Sequence, residues 1–208
     1  MPATFPLWVI DRLRMATDGT GVTTLVCAHG CPLHCRYCIN DRCTLSESKA
    51  GDVTPEELFA LVKKDALYFS ATGGGVCFGG GEPLLWAPFI KDFSALIPSS
   101  WNLYAETSLN VPTENVLMLA DCISTFIVDI KDANPEIYRK YTGCDNALVF
   151  KNLEKLLLAA GAEHIVVRVP HIPDFNTEED VQHTLETLKK LGCTRFDVFN
   201  YKIPQRRK

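Results

Sequence analysis

From about Thr23 onward the chain alternates short apolar runs, rich in β-branched and aromatic residues, with longer amphipathic stretches. That alternation predicts parallel strands joined by right-handed helical crossovers. Strands are expected at Thr23 to Cys27, Val76 to Gly79, Asn102 to Thr107, Thr125 to Lys131, His164 to Pro170 and Arg195 to Tyr201. Thr54, Pro55 and Glu57 form a capping box that opens a helix running to about Tyr68. Further helices are expected at Leu85 to Leu96, Thr113 to Asp121, Asn146 to Ala160 and Thr177 to Leu191, the last two closed by Gly161 and Gly192. A closed barrel of eight such units takes roughly 250 residues. With 208 residues, six strands and five helices, the chain is expected to be an α/β protein, an open, partial TIM-like (β/α)6 barrel with a parallel sheet, forming one domain over 1–208.

In such sheets chemistry sits at the carboxyl ends of the strands, and the chain's reactive residues fall there. Directly after the first strand comes Cys31-Pro-Leu-His-Cys35-Arg-Tyr-Cys38. Two readings of this loop stand. Three thiolates suit an iron–sulfur cluster with one iron left open to a ligand. Alternatively, His34, Cys27 or Cys43 completes a zinc knuckle. The second strand ends in Gly79-Gly80-Gly81-Glu82, where glycines allow close backbone approach to a ligand and Glu82 adds a carboxylate. Glu106-Thr107 and Asp129-Ile130-Lys131 end the third and fourth strands, and Arg168 interrupts the apolar fifth. Charges on apolar strands are costly unless they face a polar site, and a buried arginine needs an anionic partner.

Composition narrows the function classes. A net charge of −4 with interspersed signs argues against nucleic acid or an anionic membrane surface as partner. No apolar run is long enough to span a bilayer, and Met1 to Ile10 lacks the basic flank of a secretory signal, so a cytoplasmic location is expected. Nine cysteines without an export signal then point to metal or redox chemistry rather than disulfides. Cys43, Cys77, Cys122, Cys144 and Cys193 are too dispersed for a second cluster, and Cys27 is expected in the core.

The Cys-x3-Cys-x2-Cys loop, with Tyr37 before its last cysteine, resembles the radical S-adenosylmethionine (SAM) superfamily. In particular it is similar to the glycyl-radical-enzyme activases of the pyruvate formate-lyase activating type. Asp18-Gly19-Thr20-Gly21, Gly73-Gly74-Gly75-Val76, the GGGEP run, Glu106-Thr107-Ser108, Asp129-x-Lys131 and Pro173-Asp174-Phe175-Asn176 follow in that family's order across roughly residues 16 to 202. The resemblance implies a [4Fe–4S] cluster on Cys31, Cys35 and Cys38. It also implies SAM contacts from Tyr37, Asn40, the three glycines, Glu82, Arg168 and Lys202. A monovalent cation is implied at Glu106, Thr107 and Asp129, beside the SAM carboxylate, and Lys131 would contact SAM or the incoming glycyl loop.

The implied activity is reductive cleavage of SAM and removal of a hydrogen atom from a glycine of a partner enzyme. The electron would come from a reductant such as flavodoxin or ferredoxin. The alternative is a radical SAM enzyme acting on a peptide or small metabolite; a further one is a non-catalytic zinc or iron–sulfur module. The chain departs from the family at Ile39 and at Tyr201-Lys202, both histidine positions there, and at Glu106, an aspartate there.

Overall fold

The structure, a computed structural model, describes residues 4–15, 17–45 and 51–203. The described residues form eight strands: β1 (Phe5–Met15), β2 (Val22–Ala28), β3 (Gly51–Val53), β4 (Gly75–Gly80), β5 (Asn102–Thr107), β6 (Thr125–Asp129), β7 (Ile165–His171) and β8 (Phe196–Asn200). They form one sheet in the order β3-β1-β2-β4-β5-β6-β7-β8. From β2 to β8 every pairing is parallel, which bears out the six-stranded, open (β/α)6 expectation. The ladder does not close on itself.

The sequence reading missed β1 and β3, which extend the sheet beyond β2 in antiparallel register. Side chains along β1 switch from buried to alternately half-buried and exposed after Leu7, as expected of a strand that leaves the core for an edge. An irregularity between Asp11 and Arg14, with Leu13 at φ +57°, bends its end.

Among the described residues seven α-helices accompany the sheet: α1 (Pro55–Val62), α2 (Ala66–Thr72), α3 (Ala87–Ser94), α4 (Thr113–Met118), α5 (Pro135–Thr142), α6 (Ala147–Ala160) and α7 (Glu178–Leu191). The expected capping box is present: Glu57 N–H donates to Thr54 Oγ1 at 3.3 Å and Thr54 N–H to Glu57 Oε2 at 2.8 Å. The expected single helix to Tyr68 is broken by a 3-10 turn at Lys63–Asp65. Asp65 turns inward there and accepts from Arg12 on β1 and Thr24 on β2, both at 2.6 Å. Two charge-assisted bonds to the sheet outweigh helical continuity. Helix α5 was not foreseen, although Asn134 caps it and Gly143, at φ +78°, ends it.

The sheet's two faces differ. The outer face carries the main core, where Val26, Val76, Phe78, Leu103, Phe126, Val128 and Val167 meet the helices. Burying one such side chain is worth about 1.5–3 kcal/mol. The inner face carries a small apolar cluster, Leu25, Cys27, Cys77 and Tyr104, with Trp8 packed on it. The Asp18-to-Gly21 turn floors this inner space. Thr20 N–H donates to Tyr104 Oη at 3.2 Å, and Gly19, at φ +146°, lies so close over the ring that a Cβ would sit 2.6 Å from it. Among the described residues no helix is long and apolar enough to cross a membrane.

Candidate active site

Above that apolar floor, the inner face opens into a cleft of about 610 Å³ lined by residues from β1, β2 and the loop after it, β4, β5, β6, β7, β8 and Tyr201 just beyond β8. Another depression, about 750 Å³ along α7, is lined by Thr177, Glu178, Gln182 and Glu186 and holds none of the expected site residues. It is a solvated helix face.

Cys31, Cys35 and Cys38 all line the cleft as free, half-buried thiols. Their loop is tied down from several sides. His34 N–H donates to Thr142 O at 2.8 Å and Arg36 N–H to Tyr141 O at 3.0 Å, so the end of α5 holds it. Asn40 Nδ2 donates to Gly80 O at 2.9 Å, joining it to the end of β4. Tyr201 Oη donates to Tyr37 O at 2.6 Å, and Tyr37 Oη to Asp174 Oδ2 at 2.9 Å. The loop after β2 is thus buckled across the barrel mouth to the far strands.

Among the described residues no three His, Cys, Asp or Glu side chains come close enough to hold a single metal ion. Cys27 and Cys43 are buried and His34 is exposed, and among the described residues none of them stands in a metal-holding group with the loop thiols. Thiols spread around one cavity suit a larger body of iron and sulfide. Burial pushes the Cys31 thiol up to about 12 and Cys35 to about 11. Loading therefore has to expel protons, which a cationic cluster accomplishes. Behind the loop, Tyr141 packs against Tyr201 with ring centroids 6.5 Å apart, and the Tyr138 hydroxyl is buried without a partner among the described residues.

Gly80, Gly81 and Glu82 line the same cleft. A Cβ on Gly81 would stand 2.1 Å from Gly30 O, so only glycine lets this turn meet the cysteine loop. Glu82 is 1% exposed, and both its oxygens are occupied. Oε1 accepts from Leu84 N–H at 3.2 Å and Thr107 Oγ1 at 2.7 Å; Oε2 accepts from Ser108 N–H at 2.8 Å and Ser108 Oγ at 2.6 Å. Burial raises its pKa, and these donors pull against that rise. The carboxylate holds the glycine turn to the end of β5.

Glu106 pairs with Arg168 at 2.6 Å, and Arg168 also reaches Asp197 at 3.4 Å and the carbonyl of Thr17. Burial raises Glu106, while Arg168 draws it back. Lys131 Nζ lies 3.4 Å from Asp129. Burial works against its charge, but Asp129, Cys35 and Tyr201 more than compensate, so it stays an ammonium.

Most expected residues therefore meet in one cleft. Two do not line it. Tyr37 packs behind the loop, with ring centroids 5.5 Å from Phe175 and 6.1 Å from Tyr141. Lys202 is exposed, and Tyr201 faces the cleft instead. Successive residues of an extended segment point to opposite sides. Arg14, Asp18, Asp197 and Tyr141 line the cleft without having been foreseen. Alternation along Phe5 to Met15 was the one signal for the first of them.

An open barrel with three cysteines at the mouth and a glycine turn beside them defines a class. The chain belongs to the radical SAM superfamily, whose family model matches residues 25–188. Within it, the pyruvate formate-lyase-activating enzyme of Staphylococcus epidermidis is 30% identical over 193 residues, covering 88% of this chain and 76% of that enzyme. The (2S)-3-sulfopropanediol dehydratase activating enzyme of Klebsiella oxytoca is 41% identical over 127 residues, 59% of this chain but only 38% of that enzyme. Streptococcus suis SuiB, solved bound to S-adenosylmethionine, shares the fold with a TM-score of 0.67 at 14% identity, covering 86% of this chain and 40% of that one.

Proposed function

We propose that the chain is a single radical SAM domain that cleaves SAM and uses the product to take a hydrogen atom from a backbone glycine of a partner enzyme, leaving a glycyl radical. The observation that carries this reading is the convergence of three free cysteines, the glycine turn and the Asp129–Lys131 pair in one open cleft. Its similarity to two enzymes named as activating enzymes supports the choice of substrate.

When bound on Cys31, Cys35 and Cys38, a reduced [4Fe–4S] cluster supplies the single electron that splits SAM into methionine and a 5′-deoxyadenosyl radical. The chain's own residues bind and orient. Gly80 and Gly81 line the cleft with backbone, and a Cβ on either would strike Cys27 or Gly30. Arg168 and Lys131 offer positive charge to the carboxylate of the cofactor. Asp129 and Glu106 would balance those charges. A monovalent cation would sit among Glu106, Thr107 and Asp129 once Arg168 turns from Glu106 towards the cofactor. The open side of the barrel admits a protein loop, and flavodoxin or ferredoxin in the cytoplasm would be the electron source.

The test is anaerobic incubation of the reconstituted protein with SAM, dithionite and a candidate glycyl radical enzyme, followed by electron paramagnetic resonance. A doublet that collapses when the glycine is deuterated at Cα is expected. SAM cleavage without any radical on glycine would overturn the activase reading.

A further inference from the structure

The sheet ends on β8, which pairs with β7 alone among the described residues. Val167 N–H donates to Arg195 O at 2.9 Å and Tyr201 N–H donates to His171 O at 2.8 Å. In a parallel ladder the residues bonded to a neighbour recur at every second position. The backbone groups of Asp197 and Phe199 therefore point to β7 as well, and those of Phe196, Val198 and Asn200 point away from it. Such an unpaired row is a template for another chain, and sheets blunt it with short strands, lysine, proline or bulges. The opposite end of the sheet is blunted, because β3 has only three residues. β8 has five, contains neither lysine nor proline, and keeps its register with β7 without a shift.

This open edge borders the cleft. Asp197 and Phe199 line the cleft from one side, and Trp8, Val9 and Asp11 of β1 line it from the other. Beyond Leu7 the outer edge of β1 also has no strand beside it among the described residues. Apolar side chains stand exposed on both strands, Val198 at 50% and Val9 at 43%. Between them the rim is acidic: Asp197 is 51% exposed, and its cation Arg168 stands 3.4 Å away while bonding Glu106 at 2.6 Å.

We propose that an extended segment of the protein substrate, with aliphatic and basic residues around its glycine, adds to the sheet as a strand on the free edge of β8. The inference rests on the activase reading above and names how the partner is held. A row of alternating N–H and C=O groups recognises an extended backbone. Aliphatic residues match Val198 and Val9, and a basic residue matches Asp197. Side chains alternate along the added strand, so every second residue faces the cleft as Asp197 and Phe199 do. A glycine at such a position presents its Cα hydrogens with no side chain in the way. A second copy of this chain on the same edge would shut the cleft that the substrate has to enter.

The probe is the candidate glycyl radical enzyme used above, mixed with the reconstituted protein and SAM. Hydrogen exchange read residue by residue should slow at the Phe196, Val198 and Asn200 amides when the partner is added, with little change at Asp197 and Phe199. Val198→Pro deletes one outward N–H at an edge, where a sheet tolerates proline. It should raise the KM for the partner about fivefold to tenfold, leaving kcat and partner-free SAM cleavage unchanged; Val198→Thr, which keeps the N–H, should restore the wild-type value. Unchanged exchange at the three amides, in a mixture that does form the glycyl radical, would overturn the inference. So would an unmoved KM in a Val198→Pro variant that melts like wild type. A partner-free dimer that protects the same amides would assign the edge to a second copy and overturn it too, and a KM indifferent to salt would overturn the basic segment. A wild type that cleaves SAM but leaves no radical on glycine would strike instead at the activase reading.

Discussion

Replacing Glu82 by glutamine tests whether this buried carboxylate is a clamp or a free ligand. The carboxylate accepts four hydrogen bonds, two on each oxygen. An amide keeps one acceptor and presents an NH2 to the other two donors. If that side faces Thr107 and Leu84, the hydroxyl can rotate but the Leu84 N–H cannot. If it faces Ser108, the same holds for the Ser108 N–H. Either way one buried backbone N–H loses its acceptor, at about 1–3 kcal/mol, and the remaining bonds lose their charge assistance. Together Glu82→Gln should cost about 2–4 kcal/mol of unfolding free energy. In a chain of this size about 1 kcal/mol moves the melting temperature by about 2–4 °C, so a drop of about 5–15 °C is expected. The assay is urea and thermal unfolding of metal-free, thiol-reduced protein, with the urea slope checked for constancy. A variant within about 0.5 kcal/mol of wild type, changed only in its affinity for SAM, would refute the clamp and return Glu82 to the role of direct ligand.

Arg168→Met leaves Glu106 without its partner; with both side chains partly exposed, at 18% and 21%, the loss should be about 1–3 kcal/mol. The sign with pH is set by Glu106, whose folded pKa already lies above 4.5 and would rise further. Its contribution is then present below 4.5 and lost as pH climbs through the folded value, so unfolding free energies of the variant should fall more steeply with rising pH than those of wild type. Tyr201→Phe removes the 2.6 Å bond to Tyr37 O. It should cost about 1 kcal/mol in the metal-free protein and speed loss of iron to a chelator; an unchanged rate would show that the buckle does not hold the loop.

The parallel half of the fold was legible because its strands carry near-continuous apolar runs and its helices carry caps. The Thr54–Glu57 box and the glycines at 161 and 192 fall where the sequence put them. β1 escaped because a strand half in solvent mixes Arg12, Arg14 and Asp11 among its apolar residues, and no long-range pairing is written in it. The break at Asp65 arises from Arg12 and Thr24, more than forty positions away, which local propensity cannot register. In the site, the motif cysteines, the glycine turn and the strand-end charges were readable because each sits at the end of a recognisable strand. Their partners were not: the saturation of Glu82 by Thr107 and Ser108, or the Arg168–Glu106 pair, depends on register between strands. Helix α5 is polar enough on its outer face that Tyr138 and Tyr141 gave no sign of lying behind the cysteine loop.

The central claim is that Cys31, Cys35 and Cys38 carry radical SAM chemistry in the cleft. The most direct measurement is made anaerobically on reconstituted protein: iron and sulfide content, then 5′-deoxyadenosine formed from SAM after dithionite reduction. About four irons per chain and steady formation of 5′-deoxyadenosine, both lost in Cys35→Ala, are the predicted result. Zinc in place of iron, or a fully loaded cluster that leaves SAM intact, would contradict it.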